Sequence, residues 1–401
     1  MDSSSFMPMM PSIKESLEIK YMKNEFPIWT GGLHRILCMQ GGDDDVSYAK
    51  NSEGPASAIT LSKSLLIEGI KFMKLFGEEE SLSVADLGCA TGYNTLATID
   101  LVVDNLRRRY NMECGFEPDF EAFFSDLPSN DFNSLFRSPP FTEHSKKRRY
   151  YAAGVPGSFY HRLFAKEKLH VAVSLSALHW LSQIPETVLD KKSPAWNEGR
   201  AWIDGAKKEV VEAYAKQSKD DLEAFLQCRK VEIKRGGMLF ILMAGRPGSN
   251  RPESQLGDPD SRAKHPFTSS MDQAWEDLLN EGLIDKITRD TFNIPAYMRN
   301  IDEVQKAFEQ CGGFEIKRLE YQRLVEHSKE KQEEWIRDPV SYGRAKANIV
   351  RATLKPIVEA HVGTEISEEL FKRFQNRASG DIAMLHKTCF YGVIVVCAIR
   401  K

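Results

Sequence analysis

A turn between a predicted strand and a predicted helix is the first segment whose residue types could do chemistry. It lies within VADLGCATGYN, residues 84–94, and contains Gly88 and Gly92. A glycine-containing turn of this kind lets a ligand approach the backbone closely and places it at a helix N-terminus. The spacing is not GxGxxG and the chain has no GKS or GKT, which disfavours a dinucleotide or P-loop phosphate site. A tight turn without a ligand is the alternative interpretation.

An aspartate ends the next predicted strand. Asp126 follows residues 120–125 and would lie beside the glycine turn, where its carboxylate can accept both ribose hydroxyls of a nucleoside. In nucleotide-binding α/β units such an acid usually lies about 20 residues after the glycine turn. Asp126 lies further along the chain, and the inserted loop 111–119 accounts for the difference. The Asp-Leu-Pro-Ser turn at this point is equally typical of a helix cap.

Two later segments combine aromatic rings with hydrogen-bonding groups. In AGVPGSFYHRLF, the Ser158 hydroxyl and the Phe159 ring could contact an adenine. The segment lacks a GxSxG elbow, which argues against Ser158 as a hydrolase nucleophile. In SALHWLSQIP, His179 and Trp180 carry N–H donors that could orient an anion. Burial of this pair in the core is the alternative.

The elements that must position these residues follow from the hydrophobic pattern. Short β-rich runs alternate with helical patterns, which is typical of a parallel α/β sheet. The predicted strands are residues 83–87, 120–125, 169–174, 238–243, 314–321 and 390–399. The clearest predicted helices are residues 94–107 and 206–233, the second with one apolar face.

Long stretches without strands predict a helical cap on this sheet. Residues 1–33 are assigned to a partly ordered arm, in which Phe26, Ile28 and Trp29 are costly to leave in water. The α/β core would comprise residues 34–184, 206–246, 314–322 and 384–401. The cap, which would cover a ligand pocket, would comprise residues 185–205, 247–313 and 323–383.

Composition limits the class of protein. The 401 residues carry a net charge of −3, with 42% hydrophobic and 28% charged residues, as in a globular rather than a disordered chain. A near-neutral balance gives no general attraction to nucleic acid or to an anionic membrane. Seven scattered cysteines without a CxxC pair favour reduced thiols. Without a signal-peptide pattern or an apolar run of about 18 residues, we expect a soluble, cytoplasmic protein with neither nucleic-acid nor membrane partners.

Together these segments resemble the SABATH family of plant S-adenosylmethionine-dependent carboxyl methyltransferases. The resemblance runs in family order from about residue 35 to the end of the chain, and it includes MQGGDDDVSYAKNS, ADLGCATGYNT, FFSDLPSNDFN, AGVPGSFYHRLF, LHWLSQIP and RDTFNIPAY. Within the family the chain is most similar to the branch that acts on gibberellins, through MQGGDDDVSY, GPASAITLSK, GDPDS, KHPFTSSMDQAW and DPVSYGR.

The resemblance implies a fold and a reaction. The fold would be that of a class I, Rossmann-like methyltransferase, a mixed α/β sheet flanked by helices with an α-helical cap. The reaction would be methyl transfer from S-adenosylmethionine to the carboxyl group of a gibberellin, a rigid tetracyclic diterpenoid acid, in the inactivation of a plant hormone. A carboxylic acid with a pKa of about 4 is already ionised at pH 7, so no general base is expected. The resemblance also makes a homodimer possible.

By position, the resemblance also assigns the cofactor site. It comprises Tyr48, Asp86, Cys89, Asn94, Asp126, Leu127, Ser158 and Phe159. Asp126 would hold the ribose and Phe159 would contact the adenine. Tyr48 and Asn94 would face the methionine part of the cofactor.

For the acid, the resemblance assigns Trp180 as a hydrogen-bond donor to the carboxylate, with His179 beside it. Gln40 aligns where many members carry Lys. Members that act on salicylate also use a Gln to clamp the carboxylate, and this chain has Pro55 at that position. The substitution argues against a salicylate-like substrate and leaves room for a bulkier acid.

Some family members resemble this chain in a magnesium site. The corresponding positions here are Asn197, Asp290, Phe292 through its carbonyl, and Asn293. Oxygen ligands of this kind suit Mg²⁺. The same residues are equally good turn and capping residues, so both interpretations stand at this point.

Three other functions fit part of the pattern. The acid could be another plant acid, such as indole-3-acetate, because a few pocket side chains can switch preference. The chain could bind S-adenosylmethionine or a hormone without turnover, although its cofactor motifs are intact. A nicotinamide dehydrogenase would need a GxGxxG turn and a hydride-transfer acid or base, which we do not find in the sequence.

Overall fold

The computed structural model of the protein describes residues 29, 31–77, 79–142, 149–248, 254–256, 266–381, 385–386 and 390–401. Within these residues, seven strands form one sheet: β1 Ser81–Leu87, β2 Asp119–Asp126, β3 Tyr151–Pro156, β4 Leu169–Leu175, β5 Ile233–Ala244, β6 Phe314–Val325 and β7 Phe390–Arg400. The α-helices of the same residues are α1 Glu53–Phe72, α2 Tyr93–Glu113, α3 Phe132–Phe136, α4 Pro139–Thr142, α5 Glu186–Leu189, α6 Lys208–Glu232, α7 Pro266–Asn280, α8 Lys286–Thr291, α9 Ile301–Cys311, α10 Lys329–Arg337, α11 Pro339–Val362 and α12 Thr364–Gly380.

The strand order places a crevice at one edge of the sheet. The order is β3-β2-β1-β4-β5-β7-β6. Strands β1 to β5 run parallel, and β7 runs antiparallel to both β5 and β6. The chain winds outward from β1 to β3 and then returns to add β4 on the other side of β1. Ligands of open α/β sheets bind at such a reversal, outside the carboxyl ends of the two central strands.

All six predicted strands occur, and one further strand escaped prediction. Strand β3 pairs only with β2 at the edge of the sheet. Its sequence, YAAGVP, contains Gly154 and Pro156, and its side chains are exposed or half-buried. A strand that buries little has no hydrophobic alternation to reveal it.

Helices cover both faces of the sheet. On one face, α1 and α2 pack against the sheet through an apolar cluster that includes Leu66, Ile99 and Val84. On the other face, α6 and α9 pack in a cluster that includes Phe225 and Ala85. Val84 and Ala85 are successive residues of β1 and therefore point to opposite faces. The sheet is thus a central layer between two layers of helices.

A third apolar cluster joins helices α7, α11 and α12 to the segment that follows β4. It includes Trp275, Leu354, Phe371 and Leu181. Trp29 is also buried in this cluster, and its backbone oxygen accepts a hydrogen bond from the backbone N–H of residue 184 at 2.9 Å. The arm residues 1–28 and 30, with Phe26 and Ile28, lie outside the described residues. The boundaries between arm, core and cap stay a prediction.

Two further observations concern the helices and the thiols. None of the described helices is both long enough and apolar enough to cross a membrane. The cysteines that the structure describes are free thiols: Cys38, Cys89, Cys114, Cys228, Cys311 and Cys397.

Candidate active site

The turn after β1 is held against the end of β2 by backbone hydrogen bonds. The N–H groups of Gly88 and Cys89 donate to the carbonyl of Ser125 at 2.8 and 3.1 Å. Gly88 has a φ of +87°, and a Cβ added there would lie 2.4 Å from the Cβ of Ala177, just beyond β4. Glycine is therefore required for the turn to approach the end of β4 so closely. A ligand can therefore approach the backbone at the carboxyl ends of β1 and β4.

Asp126 is the side chain that connects the two strand ends. One carboxylate oxygen accepts a hydrogen bond from the N–H of Ala90 at 2.8 Å, and the other accepts from the N–H of Leu127 at 2.7 Å. Ala90 itself has a positive φ of 49°, an uncommon conformation for a residue with a side chain. Burial raises the pKa of Asp126 to about 6. Each oxygen keeps a second lone pair, so the carboxylate can still accept the two ribose hydroxyls.

Asp86 is buried, and only one of its two carboxylate oxygens has a hydrogen-bond partner in the described part of the chain. One of its oxygens accepts a hydrogen bond from the Thr95 hydroxyl at 2.5 Å, and the other has no partner among the described residues. Burial and the nearby charge of Asp126 raise the pKa of Asp86 to about 7. A buried carboxylate with a free oxygen suits a cationic group of a ligand. S-adenosylmethionine offers such a group in its ammonium.

Tyr48, Asn94 and Cys89 surround the two carboxylates. The pKa of the Tyr48 phenol is raised by burial and by the charges of Asp126 and Asp86, so the ring lies near both. The Asn94 amide donates to the Ser52 hydroxyl at 3.2 Å and connects the start of α2 to that segment. Burial raises the pKa of Cys89 well above its ordinary value, so the thiol stays protonated and lines the site without acting as a nucleophile.

The loop after β3 brings Phe159 to the glycine turn. The edge of its ring would lie 3.3 Å from a Cβ placed on Gly88. The ring also packs edge-on against Tyr160, with centroids 4.7 Å apart. The Ser158 hydroxyl accepts a hydrogen bond from the N–H of Tyr160 at 3.3 Å. Both predicted adenine contacts therefore lie on the turn side of the crevice.

A buried ion pair positions this loop and was not predicted from sequence. Arg229 and Glu232 on α6 are fully buried and 2.7 Å apart. The guanidinium of Arg229 donates to the carbonyls of Phe159 at 2.7 Å and His161 at 2.9 Å, and Glu232 accepts from the N–H of Leu163 at 2.6 Å. The sequence does carry a signal, because two opposite charges three residues apart extend the apolar face of α6. They hold the loop in place and do not contact the ligand site directly.

His179 and Trp180 line a cavity of about 1090 Å³. The Nε1–H of Trp180 has no hydrogen-bond acceptor among the described residues. The Nδ1 atom of His179 is buried and also lacks a partner there. Burial and the charge of Arg299 lower the pKa of His179 to about 4, so the imidazole is neutral at pH 7. The N–H of Trp180 is therefore an uncommitted donor on a residue that lines a largely apolar space, as an anion site requires.

Of the two other positions considered for the acid, Pro55 lines the cavity and Gln40 is not among its lining residues. The backbone of Gln40 donates to the carbonyl of Ala352 on α11 at 2.8 Å and accepts from the N–H of Tyr48 at 2.8 Å. Pro55, in the first turn of α1, lines the cavity. The segment with Gln40 thus connects the cofactor residue Tyr48 to α11, which forms part of the cavity wall.

Two of the four predicted magnesium residues are hydrogen-bonded to each other. The amide of Asn197 donates to Oδ1 of Asn293 at 2.7 Å, and Asp290 accepts from the N–H of Gly199 at 3.0 Å. Phe292, which lies between Asp290 and Asn293 in the sequence, is buried. No group of three or more His, Cys, Asp or Glu side chains in the described ranges is arranged to hold a metal. As it stands, the hydrogen bond between Asn197 and Asn293 joins the segment before α6 to the segment after α8.

The structure thus brings the predicted cofactor residues together at the carboxyl ends of β1 and β2, and it places Trp180 and His179 in the adjoining cavity. Their individual roles stay predictions. Asn197 lies between α5 and α6, and the other three predicted magnesium residues lie at the end of α8 and directly after it.

Comparisons with known proteins agree with this arrangement. Residues 34–401 match the model of a family described as SAM dependent carboxyl methyltransferase. The chain is 57% identical over 376 residues to gibberellic acid methyltransferase 2 of Arabidopsis thaliana, covering 92% of this chain and 96% of that protein. It is 52% identical over 372 residues to gibberellic acid methyltransferase 1 of the same plant, covering 92% of this chain and 98% of that protein.

A solved structure supports the fold independently. The structure of loganic acid methyltransferase with SAH superimposes with a TM-score of 0.78 at 30% identity, covering 90% of this chain and 98% of that one. The predicted family and the predicted methyltransferase fold, a mixed sheet flanked by helices, are both confirmed. The chain belongs to the S-adenosylmethionine-dependent carboxyl methyltransferase family.

Proposed function

We propose that the protein transfers the methyl group of S-adenosylmethionine to the carboxylate of a gibberellin, which yields the methyl ester and S-adenosylhomocysteine. The observation that carries the proposal is the uncommitted N–H of Trp180, a residue that lines a large cavity together with His179 and Tyr48. The gibberellic acid methyltransferases of Arabidopsis, at 57% and 52% identity, support the choice of acid.

The residues at the strand ends suit the cofactor. The free oxygen of Asp86 would pair with its ammonium group, and Asp126 would accept its ribose hydroxyls. Phe159 would cover one face of the adenine, with Ser158 and Leu127 beside it. When bound, S-adenosylmethionine supplies a methyl group that its sulfonium charge activates.

The acid end needs donors and no base. The substrate carboxylate is ionised at neutral pH, so its oxygen can attack the methyl carbon while the carbon–sulfur bond breaks and its electron pair stays on sulfur. The neutral His179 neither takes nor gives a proton in this step. The Nε1–H of Trp180 would orient the carboxylate, and the apolar cavity would exclude water. Catalysis then rests on alignment and on removal of water from the anion.

The shape of the cavity favours a bulky apolar acid. Its lining includes the apolar side chains Leu256, Ile294, Met298, Val350 and Leu354. Pro55 offers no side-chain donor, so the second clamp that salicylate-specific relatives use is missing. A small aromatic acid would be held by fewer contacts than a rigid tetracyclic acid, whose rings could fill the space.

The test is methyl transfer from labelled S-adenosylmethionine to a panel of acids, with each product identified by mass. The panel contains gibberellins, indole-3-acetate, salicylate, jasmonate and a cinnamate. A gibberellin should be methylated with a kcat/KM about tenfold or more above salicylate and indole-3-acetate, as expected for one or two extra pocket contacts. Comparable rates on all of these acids would refute the proposed substrate.

The same panel separates the alternatives. Preferred methylation of indole-3-acetate would keep the reaction and replace the substrate. Binding of S-adenosylmethionine without any ester product would favour the non-catalytic binding protein. Family membership leaves the nicotinamide dehydrogenase without support.

Three further expectations belong to this proposal. Magnesium would be held by the oxygens of Asn197, Asp290, Phe292 and Asn293, after Asn197 and Asn293 give up the hydrogen bond between them, and no step of the reaction passes through it. Calorimetric titration with MgCl₂ tests its binding. A homodimer is tested by light scattering in solution, and a cytoplasmic location by imaging of the tagged protein in plant cells.

A further inference from the structure

A group of charged side chains lies in the wall of the same cavity, away from the predicted carboxylate donors. Glu326 and His327 follow the end of β6, and Lys346 lies on α11. The ammonium of Lys346 donates to Oε1 of Glu326 and lies 2.8 Å from Nε2 of His327. The three residues line the cavity together with Tyr342. We call Glu326, His327 and Lys346 the distal polar group.

The distal polar group is poorly placed to be an ordinary surface ion pair. The side chain of Lys346 is only 16% exposed and that of Glu326 only 26% exposed. A lysine ammonium has three N–H donors. Glu326 accepts one, and Nε2 of His327 accepts a second in the tautomer that carries its proton on Nδ1. The third has no hydrogen-bond acceptor among the described residues, and the ammonium lies 5.5 Å from the centroid of the Tyr342 ring. Since that side chain lines the cavity, an uncommitted donor is available to whatever fills it.

Helix α11 relates the distal polar group to the reacting end. Val350 and Leu354 belong to the apolar cluster against which Trp180 packs. Lys346 precedes them by about one and about two helical turns, or about 6 and 12 Å along the axis. One side of α11 lines the cavity throughout this stretch. The cavity therefore offers one set of donors near Trp180 and another further along the helix.

Tyr391 lies between the distal polar group and the segment that contains Pro55. The hydroxyl of Tyr391 donates to the carbonyl of Gly54 at 2.8 Å. Burial and the charge of Glu326 raise the pKa of Tyr391 to about 12, so the phenol stays protonated and lies near that carboxylate. The wall behind Pro55 thus continues through Tyr391 to the distal polar group.

We propose that Lys346, held in place by Glu326 and His327, donates its third N–H to a second oxygen atom of the acid substrate. That oxygen is a lactone carbonyl or a hydroxyl on the fused rings, far from the carboxylate that receives the methyl group. Lys346 is then a specificity-determining residue, and it selects an acid with two oxygen functions held apart by a rigid apolar frame. The inference rests on the proposed function and refines its substrate class.

The test is Lys346→Met, which removes the donor and keeps the apolar length of the side chain. Steady-state kinetics are measured with a lactone-bearing gibberellin and with indole-3-acetate, which has no oxygen outside its carboxylate. For the gibberellin, kcat/KM should fall by about tenfold or more, mainly through KM, as expected for a lost charge-assisted hydrogen bond. For indole-3-acetate, kcat/KM should not change. The Kd of S-adenosylhomocysteine should not change either, which also shows that the variant is folded.

Three further variants make the test selective. Lys346→Arg retains a donor and should restore most of the gibberellin activity. The double variant Lys346→Met with Glu326→Gln avoids an unpaired buried carboxylate and should show the same selective loss. Lys355→Met is the matched control on the same helix, because Lys355 pairs with Glu368 at 2.9 Å. It should leave both activities unchanged.

The outcomes separate this inference from the proposed function. If wild-type protein esterifies a gibberellin and Lys346→Met loses activity equally on both acids, the distal polar group is a structural brace and the inference is wrong. The inference is also wrong if Lys346→Met loses activity on neither acid. If wild-type protein esterifies no gibberellin at all, the proposed function fails first and the inference fails with it.

Discussion

The two ends of the active site are built by different means. At the cofactor end, Gly88 and Asp126 are held by backbone hydrogen bonds between adjacent strand ends. At the proposed acid end, His179 and Trp180 follow β4 and Lys346 lies on α11, and all three side chains line the cavity. A ligand that all relatives share can be recognised by a rigid backbone turn. A ligand that varies is recognised by side chains on the surrounding helices, which can change without disturbing the sheet.

The largest effect should come from removing the donor at the junction of the two ends. In Trp180→Ala, kcat should fall by about 100-fold or more, the loss typical of one oriented donor to a reacting oxygen. Cofactor affinity should stay at the wild-type value, because Trp180 belongs to the acid end. Trp180→Phe keeps the aromatic wall and should lose activity to a similar extent if the N–H is what matters. A Trp180→Ala variant with near wild-type turnover would reject Trp180 as the donor.

The reverse separation is expected at Asp126. Asp126→Ala should weaken cofactor binding by about 10-fold to 100-fold, because it removes a charged acceptor for two hydroxyls and frees the N–H groups of Ala90 and Leu127. At saturating cofactor, the KM for the acid should be unchanged. Calorimetry for the cofactor and kinetics for the acid measure the two effects. A change in the acid KM with intact cofactor binding would contradict the assignment of Asp126.

Asp86 should make cofactor binding depend on pH. Its pKa of about 7 means that the carboxyl is increasingly protonated, and so unable to pair with the cofactor ammonium, as pH falls below that value. Affinity should therefore rise from pH 6 to pH 8, by up to about tenfold, and level off above the pKa. Asp86→Asn should bind more weakly and with a flatter profile. An unchanged profile in Asp86→Asn would assign the pH dependence to another group.

The smallest effect is expected at Pro55. Pro55→Gln restores a side-chain amide on the wall that faces the acid, and it should shift the ratio of salicylate to gibberellin turnover towards salicylate by about threefold to tenfold. Cofactor binding should not respond. Competition between the two acids in one reaction measures the ratio directly. A shift towards gibberellin would show that Pro55 does not limit small acids.

The same contrast explains how much the sequence could predict. Gly88 and Asp126 end two parallel strands, and such ends meet at one edge of a sheet, so their proximity follows from local patterns. Strand β3 could not be predicted because an exposed edge strand has little hydrophobic alternation. Arg229 and Glu232 are opposite charges on the apolar face of α6, a pattern from which a buried ion pair could have been predicted.

The acid end could be predicted only in part. Trp180 was found because it directly follows a predicted strand and matches a family motif. Lys346 and Glu326 lie on different elements with no motif between them. Their contact depends on how α11 packs against the end of β6, which no local pattern in the sequence specifies. The contact between Lys346 and Glu326 therefore required the three-dimensional structure.

The most direct test of the central claim is a crystal structure of the protein with S-adenosylhomocysteine and a gibberellin. The account predicts the gibberellin carboxylate within hydrogen-bonding distance of Nε1 of Trp180, facing the cofactor sulfur, with the ribose on Asp126 and the rings along α11. A gibberellin bound outside the cavity, or with its carboxylate turned away from the sulfur, would contradict it.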